Sequence, residues 1–168
     1  MSLAEVKELK SPVKKWVPAK KQLFINGKWI DAKSGKTFDV ENPATGDIVA
    51  QAAEGDKADI DEAVKAARKA FESGPWKDMS ASERGKIIWK IGDLILKYAD
   101  ELAELESLDN GKPLAVAGAA DVPLSADLFH YMAGWTTKIK GDTFPISTDH
   151  FYTPGQKYLT YTQREPVG

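Results

Sequence analysis

Short apolar runs separated by turn-forming residues mark the first patterned part of the chain, a pattern typical of β-hairpins. Residues 23–25 and 28–30 flank Asn26-Gly27, and this dipeptide favours a two-residue turn because both of its positions need positive φ. Two further strands are predicted at residues 37–41 and 47–53, on either side of an Asn-Pro-Ala-Thr-Gly turn. The pattern therefore predicts two consecutive antiparallel hairpins.

Apolar residues then recur at intervals of three and four positions, which predicts helices. The first helix begins after Asp56, the expected N-cap, and ends at Gly74-Pro75. A second helix opens on the capping box at residues 80–83, and its apolar stripe continues as far as Leu105. We expect one long helix here, closed by Asn110-Gly111.

A third helical region is predicted from about Val116 to Ile139, and Pro123 is expected to kink or restart it. Strands are predicted at residues 143–147 and 159–163, on either side of a loop at Pro154-Gly155. The last strand has no following partner, and a strand left open usually pairs elsewhere. We therefore expect an incomplete α/β fold, the front part of a larger protein, because no alternating series of strands and helices builds a parallel sheet.

The composition is that of a globular protein, with 42% apolar and 29% charged residues in a chain of 168. A net charge of −2 argues against nucleic acid as a partner. The sequence has no run of about 18 apolar residues, so a membrane span is not predicted. The N-terminus also lacks the apolar core of a secretory signal. We expect a cytoplasmic protein with a loosely ordered, lysine-rich tail at residues 1–21.

The sequence contains no cysteine, which excludes a disulfide, a thiolate metal site and a cysteine nucleophile within these residues. Neither His130 nor His150 has a second ligand three or four positions further on, so zinc binding is not predicted. A structural role is the simplest interpretation of His130. Three helix acids, Glu101, Glu104 and Glu106, are interpreted as a solvated face.

None of these segments carries a phosphate-binding glycine loop or a hydrolase motif. Five stretches nevertheless form an ordered set: Leu23-Phe24-Ile25-Asn26-Gly27-Lys28-Trp29, Asn42-Pro43-Ala44-Thr45-Gly46-Asp47, Leu105-Glu106-Ser107-Leu108-Asp109-Asn110-Gly111-Lys112-Pro113, Tyr131-Met132-Ala133-Gly134-Trp135 and Arg164-Glu165-Pro166-Val167-Gly168. In order and spacing they resemble the amino-terminal third of the NAD(P)-dependent aldehyde dehydrogenase family. Residues 128–139 and 161–166 most resemble the branch that acts on aromatic aldehydes such as phenylacetaldehyde.

The resemblance implies a Rossmann-like cofactor domain, a catalytic domain and a β-ribbon that joins subunits. Residues 22–140 would then be the N-terminal part of the cofactor domain, with its hairpins and helices. Residues 141–168 would be strands of the oligomerisation ribbon and the start of the return to the cofactor domain. The implied reaction oxidises an aldehyde to a carboxylic acid with NAD or NADP, through a thiohemiacetal on a cysteine. The implied assembly is a homodimer or homotetramer.

No catalytic or cofactor-binding residue of the family falls within this chain, because those positions would follow Gly168. The 168 residues alone are therefore expected to be inactive. An alternative is a non-catalytic module derived from the same fold, which keeps its surface for structural or subunit contacts.

Two pairs of positions correspond to binding sites of the family. Ala120 and Leu124 match residues that line the aldehyde tunnel, although simple helix packing explains them equally well. Val40 and Asp109 match the surroundings of a monovalent cation, which oxygen ligands would hold. Asp109 is otherwise a residue of the turn that ends the second helix.

Overall fold

The computed structural model describes residues 13, 21–146, 155 and 157–168. The predicted tail at residues 1–21 therefore lies outside the described residues, except for Val13 and Lys21. The described chain begins with two β-hairpins and continues with helices.

The first hairpin joins β1 (Leu23–Ile25) to β2 (Lys28–Ile30) in antiparallel register. Asn26 and Gly27 have φ values of 53° and 74°, which confirms the predicted turn. On one face, the rings of Phe24 and Trp29 lie 4.9 Å apart.

The second hairpin joins β3 (Thr37–Asn42) to β4 (Asp47–Ala53), as predicted. A register shift between Val40 and Glu41 bulges β3. The buried side chain of Asn42 accepts a hydrogen bond from the Ala44 backbone N–H at 2.9 Å, which shapes the turn. Lys21 extends this sheet through backbone hydrogen bonds with Gln51 and Ala53.

Helix α1 (Lys57–Ser73) has the predicted N-cap, Asp56. The Asp56 side chain accepts the Ala58 N–H, and the Asp59 side chain accepts the Asp56 N–H, so both halves of a capping box are present. The helix ends at Gly74, and Pro75 opens the short helix α2 (Pro75–Asp78).

The predicted second helix is two helices, α3 (Ala81–Lys97) and α4 (Ala99–Asn110). The prediction of one continuous helix is wrong at Tyr98, whose φ of −108° and ψ of 25° interrupt the helical backbone. A break of one residue leaves the spacing of the apolar stripe almost unchanged, so periodicity does not reveal it. Gly111 ends α4 with a φ of 78°, as predicted.

The third helical region consists of α5 (Leu114–Val116), a π-helical turn (Ala117–Asp121) and α6 (Val122–Ala133). Pro123 disturbs the helix as predicted, because its ring clashes with the carbonyl four residues earlier and it has no N–H to donate. The wider turn just before it relieves that conflict. The helix ends at Gly134, before the predicted Ile139, and turns follow it.

The predicted strands at residues 143–147 and 159–163 are not formed as strands in the described residues. Instead, one antiparallel bridge joins Thr143 to Tyr161. The Thr162 N–H donates to the Asp142 carbonyl at 2.8 Å, and the Phe144 N–H donates to the Thr160 carbonyl at 3.4 Å. The two segments therefore meet as predicted, but pairing is short, since an isolated two-stranded ribbon is marginal. Residues 147–154, including Pro154, lie outside the described residues.

Two small clusters of buried apolar side chains lie in the part of the chain that the structure describes. Val49 of β4 packs with Val13 and Leu108 between the second hairpin and α4. Ala103 of α4 packs with Ala117 and Val122, which ties α4 to the π-helical turn.

Helices α3 and α6 pack closely because glycines face the partner helix. A Cβ at Gly92 would lie 2.5 Å from the His130 ring and 2.9 Å from the Ala126 carbonyl oxygen. A Cβ at Gly85 would lie 2.8 Å from the Thr136 hydroxyl. None of the helices in the described part of the chain is both long and apolar enough to span a bilayer.

Candidate functional site

A cavity of about 660 Å³ lies between the second hairpin and helices α3, α4 and α6. Its wall is mostly apolar, formed by Val40, Val49, Ala50, Ile95, Leu102, Leu105, Leu108 and Val122. Four polar residues also line it: Lys21, Glu106, Asp109 and Ser125. A cavity of this size and lining suits apolar side chains or a small ligand.

The two predicted cation residues line this same cavity. Val40 is half-buried at the bulge of β3, and Asp109 is exposed in the last turn of α4. The carbonyl groups at a helix C-terminus carry partial negative charge, which favours a cation near Asp109. No group of three or more potential metal-binding side chains occurs in the described residues, so backbone carbonyls would have to supply most ligands. The cation site stays a prediction.

The two predicted tunnel residues lie where the π-helical turn passes into α6. Ala120 is half-buried within the turn, and Leu124 is 65% exposed in the first turn of α6. An exposed leucine is not held by core packing among the described residues. The simple packing interpretation of Leu124 therefore loses support, and its role in a tunnel stays a prediction.

A lysine that the sequence reasoning missed connects the end of α4 to the π-helical turn. The Nζ of Lys112 lies 2.6 Å from Oδ2 of Asp121 and 3.2 Å from Oε1 of Glu106. Its backbone carbonyl accepts a hydrogen bond from the Ser107 hydroxyl at 2.7 Å. The hydrogen bond to Asp121, followed by that to Glu106, raises the pKa of Lys112 above its ordinary value. Lys112 lies nine positions before Asp121 and six positions after Glu106 along the chain, so no short-range sequence pattern indicates these two ion pairs.

Glu104 corrects the prediction of a solvated acidic face. Glu104 is only 8% exposed, and its Oε2 atom has no hydrogen-bond partner among the described residues. Glu106 of the same predicted face is ion-paired and only partly exposed. The sequence contained an indication that Glu104 is buried, because Glu104 lies four positions before Leu108 and so shares its helix face.

His130 lies in a contact between α3 and α6. Its ring stacks on Trp89 with centroids 4.3 Å apart, and its Nε2 lies 3.2 Å from Oδ1 of Asp93. Both partners belong to α3, so the side chain links the two helices. These contacts agree with the structural role expected from the sequence.

The mixed arrangement of hairpins and helices matches the amino-terminal part of solved aldehyde dehydrogenases. The NAD+ complex structure of aldehyde dehydrogenase from Bacillus cereus is 49% identical, with a TM-score of 0.85 over 95% of this chain and 31% of that chain. The sequence model of the aldehyde dehydrogenase family matches residues 29–168. The chain belongs to the aldehyde dehydrogenase family.

Curated relatives agree with this assignment. The human mitochondrial aldehyde dehydrogenase is 47% identical over 148 residues, which are 88% of this chain and 27% of the relative. The mitochondrial benzaldehyde dehydrogenase of Antirrhinum majus is 44% identical over 161 residues, which are 95% of this chain and 29% of the relative. The chain thus spans between a quarter and a third of the length of these relatives.

Proposed function

We propose that the complete protein oxidises an aldehyde to a carboxylic acid, with NAD or NADP as the oxidant. The match of residues 29–168 to the family carries this proposal. The described residues include no thiol and no glycine-rich phosphate loop, so they do not fit a role in holding the cofactor or in bonding to the aldehyde. Those roles would belong to other residues of the complete protein.

This part of the protein would shape substrate access and subunit contacts. Ala120 and Leu124 would line the approach of the aldehyde, since one is small and the other presents an apolar side chain outward. Residues 22–140 would form the edge of the cofactor domain, and residues 141–168 would begin the ribbon between subunits of a homodimer or homotetramer. The antiparallel bridge between Thr143 and Tyr161 supports the ribbon, because it brings the two predicted strand segments side by side.

We further propose an aromatic aldehyde, such as phenylacetaldehyde, as the preferred substrate. Ala120 is the smaller of the two proposed tunnel residues, and one relative is named a benzaldehyde dehydrogenase. Residues 128–139, which most resemble the aromatic-aldehyde branch, carry several aromatic side chains, and the rings of Tyr131 and Trp135 lie 6.3 Å apart. A cytoplasmic location stays a proposal, supported by the bacterial relative of known structure, although other relatives are mitochondrial.

The test is to read the gene beyond codon 168, express the complete reading frame and follow NAD(P)H absorbance with aliphatic and aromatic aldehydes. We expect turnover by the complete protein, faster with phenylacetaldehyde than with an aliphatic aldehyde of similar length. The 168-residue chain is the control and should be inactive. Turnover by that chain alone, or none by the complete protein, would overturn the proposal.

The second candidate is a non-catalytic module that uses this surface for contacts with other subunits. The exposed apolar side chains of α6 favour it, since Leu124 and Leu128 are 65% and 58% exposed. A reading frame that ends at codon 168, together with a folded oligomer lacking turnover, is the result this candidate expects.

A further inference from the structure

Lys112 is placed to control the geometry of the π-helical turn. It lies in the short connection after α4, and its ammonium reaches Asp121, the last residue of that turn. The contact of 2.6 Å is short for an ion pair between a lysine and a carboxylate. Because the Lys112 side chain is only 30% exposed, solvent screens this pair less than the surface pairs of α1.

The anchor of Lys112 is itself fixed on α4. Glu106 accepts a hydrogen bond from the ammonium, and the Ser107 hydroxyl donates to the Lys112 carbonyl. The side chain therefore bridges a rigid helix on one side and the π-helical turn on the other. Asp121 is tied forward as well, because its carbonyl accepts the Ser125 hydroxyl at 2.7 Å.

The turn that Lys112 holds has one nearby alternative, a regular α-helix. A π-helical turn is rare, and it relaxes to an α-helix when one residue is drawn out of it. Relaxation would rotate Ala120 and Leu124 by about 100° around the helix axis, since each residue of an α-helix occupies that angle. Ala117 is fully buried against α4 and fixes the start of the turn, whereas Asp121 at its end is held by Lys112.

We propose that Lys112 is a positioning residue for substrate access, which acts through Asp121 to keep Ala120 and Leu124 facing the approaching aldehyde. The proposal rests on the proposed function, in which these two residues line the approach. Lys112 itself touches no reacting atom. Its loss changes how well a bulky aldehyde fits and leaves the chemistry of a small aldehyde intact.

Lys112→Met in the complete protein tests this, with steady-state kinetics on a small aliphatic and a bulky aromatic aldehyde. We expect KM for the bulky aldehyde to rise roughly three- to tenfold while kcat for the small one changes less than about twofold, because small displacements near a site weaken positioning. Lys112→Arg keeps the charge and should restore most of the affinity. Lys33→Met is the matched control, since it removes an exposed lysine that pairs with Glu62 at 3.3 Å, on a different helix.

Hydrogen exchange gives a second readout that does not need turnover. Amides of residues 117–122, 124 and 125 should exchange faster in Lys112→Met than in the unaltered protein, and at the same rate in Lys33→Met as in the unaltered protein. Should Lys112→Met fail to fold, Asp121→Asn removes the same ion pair with little change in shape and should give the same KM pattern.

The outcomes separate the two proposals. An unaltered complete protein without aldehyde turnover overturns the proposed function and this inference with it. An active protein whose Lys112→Met variant keeps its KM values, or loses kcat equally for both aldehydes, overturns the role of Lys112 alone.

Discussion

Single residues at helix ends carry much of the local order, and Asp59 is the clearest case. It is 1% exposed, and its carboxylate accepts the backbone N–H of Asp56 at 3.1 Å and that of Lys33 at 3.0 Å. One side chain therefore completes the N-cap of α1 and fastens the loop after β2 to it. The hydrogen bond from Asp56, followed by that from Lys33, lowers the pKa of Asp59.

The lowered pKa of Asp59 predicts that the start of α1 becomes less stable in acid. A carboxylate with a depressed folded pKa contributes stability above its unfolded pKa of about 4, and that contribution is lost as the pH falls through the folded value. Amides in the first turn of α1 and at Lys33 should therefore lose hydrogen-exchange protection below about pH 4. Asp59→Asn should remove this dependence and lower protection at neutral pH, because the amide offers one acceptor oxygen for two donors.

Asp61→Asn is the control for that experiment. Asp61 lies on the exposed side of the same helix and pairs with Lys57 at 3.0 Å. Its loss should leave the acid transition in place. An Asp61→Asn variant that flattens the pH dependence as strongly as Asp59→Asn would contradict the assignment.

Glu104 is a single residue that destabilises the fold, whereas Asp59 stabilises it. A buried carboxylate with one oxygen unpartnered among the described residues is destabilising, because desolvation is not compensated by hydrogen bonds. Glu104→Leu should raise the free energy of unfolding of the chain by about 1 kcal/mol, measured by urea denaturation. Glu101→Leu is the control and should have little effect. A destabilised Glu104→Leu variant would mean that the carboxylate has a partner.

Contacts between elements depend on glycines that permit close approach. Helices α3 and α6 meet at Gly92, where a Cβ would lie 2.5 Å from the His130 ring and 2.9 Å from a backbone oxygen. The ring is also held by Trp89 and Asp93, so it has little freedom to move aside.

Gly92→Ala should therefore push the two helices apart. We expect a loss of about 1–3 kcal/mol, the usual cost of overpacking, seen as faster hydrogen exchange in both α3 and α6. Gly118→Ala is a matched control, because its Cβ would make only an ordinary contact of 3.7 Å with Ala103. Equal effects of the two substitutions would show that close packing at Gly92 is unimportant.

The elements also show which features a sequence can reveal. Asn26-Gly27, the Asp56 cap and the Gly111 cap were predicted because each depends on chemistry within a few residues. The break at Tyr98 was not predicted, because a break of one residue barely shifts the apolar stripe. Pro123 indicated a disturbed helix, but not that the disturbance would be a π-helical turn. The Lys112 ion pairs join residues that only the tertiary fold brings together. Of the candidate site, only the four residues matched to the family were predicted.

The whole molecule has more surface than its length warrants. Its accessible area is 12503 Å², whereas a folded monomer of 168 residues should expose roughly 8,200 Å². The small interior is consistent with this large accessible area. The two buried clusters consist of valine, leucine and alanine only, and no buried residue of the described core is aromatic. Large apolar side chains lie outside instead, including Ile139 at 65% exposure and Leu159 at 82%.

This surface predicts that the 168-residue chain alone is loosely folded or self-associating. Burial that falls short of the conformational entropy lost on folding gives a broad thermal transition, and exposed apolar faces bind hydrophobic dyes and other copies. We expect strong dye fluorescence and a concentration-dependent mass in light scattering. The complete protein, in which further residues would cover α3 and α6, should bind little dye and unfold sharply. A sharp two-state transition of a monomeric 168-residue chain would contradict this and favour the independent module.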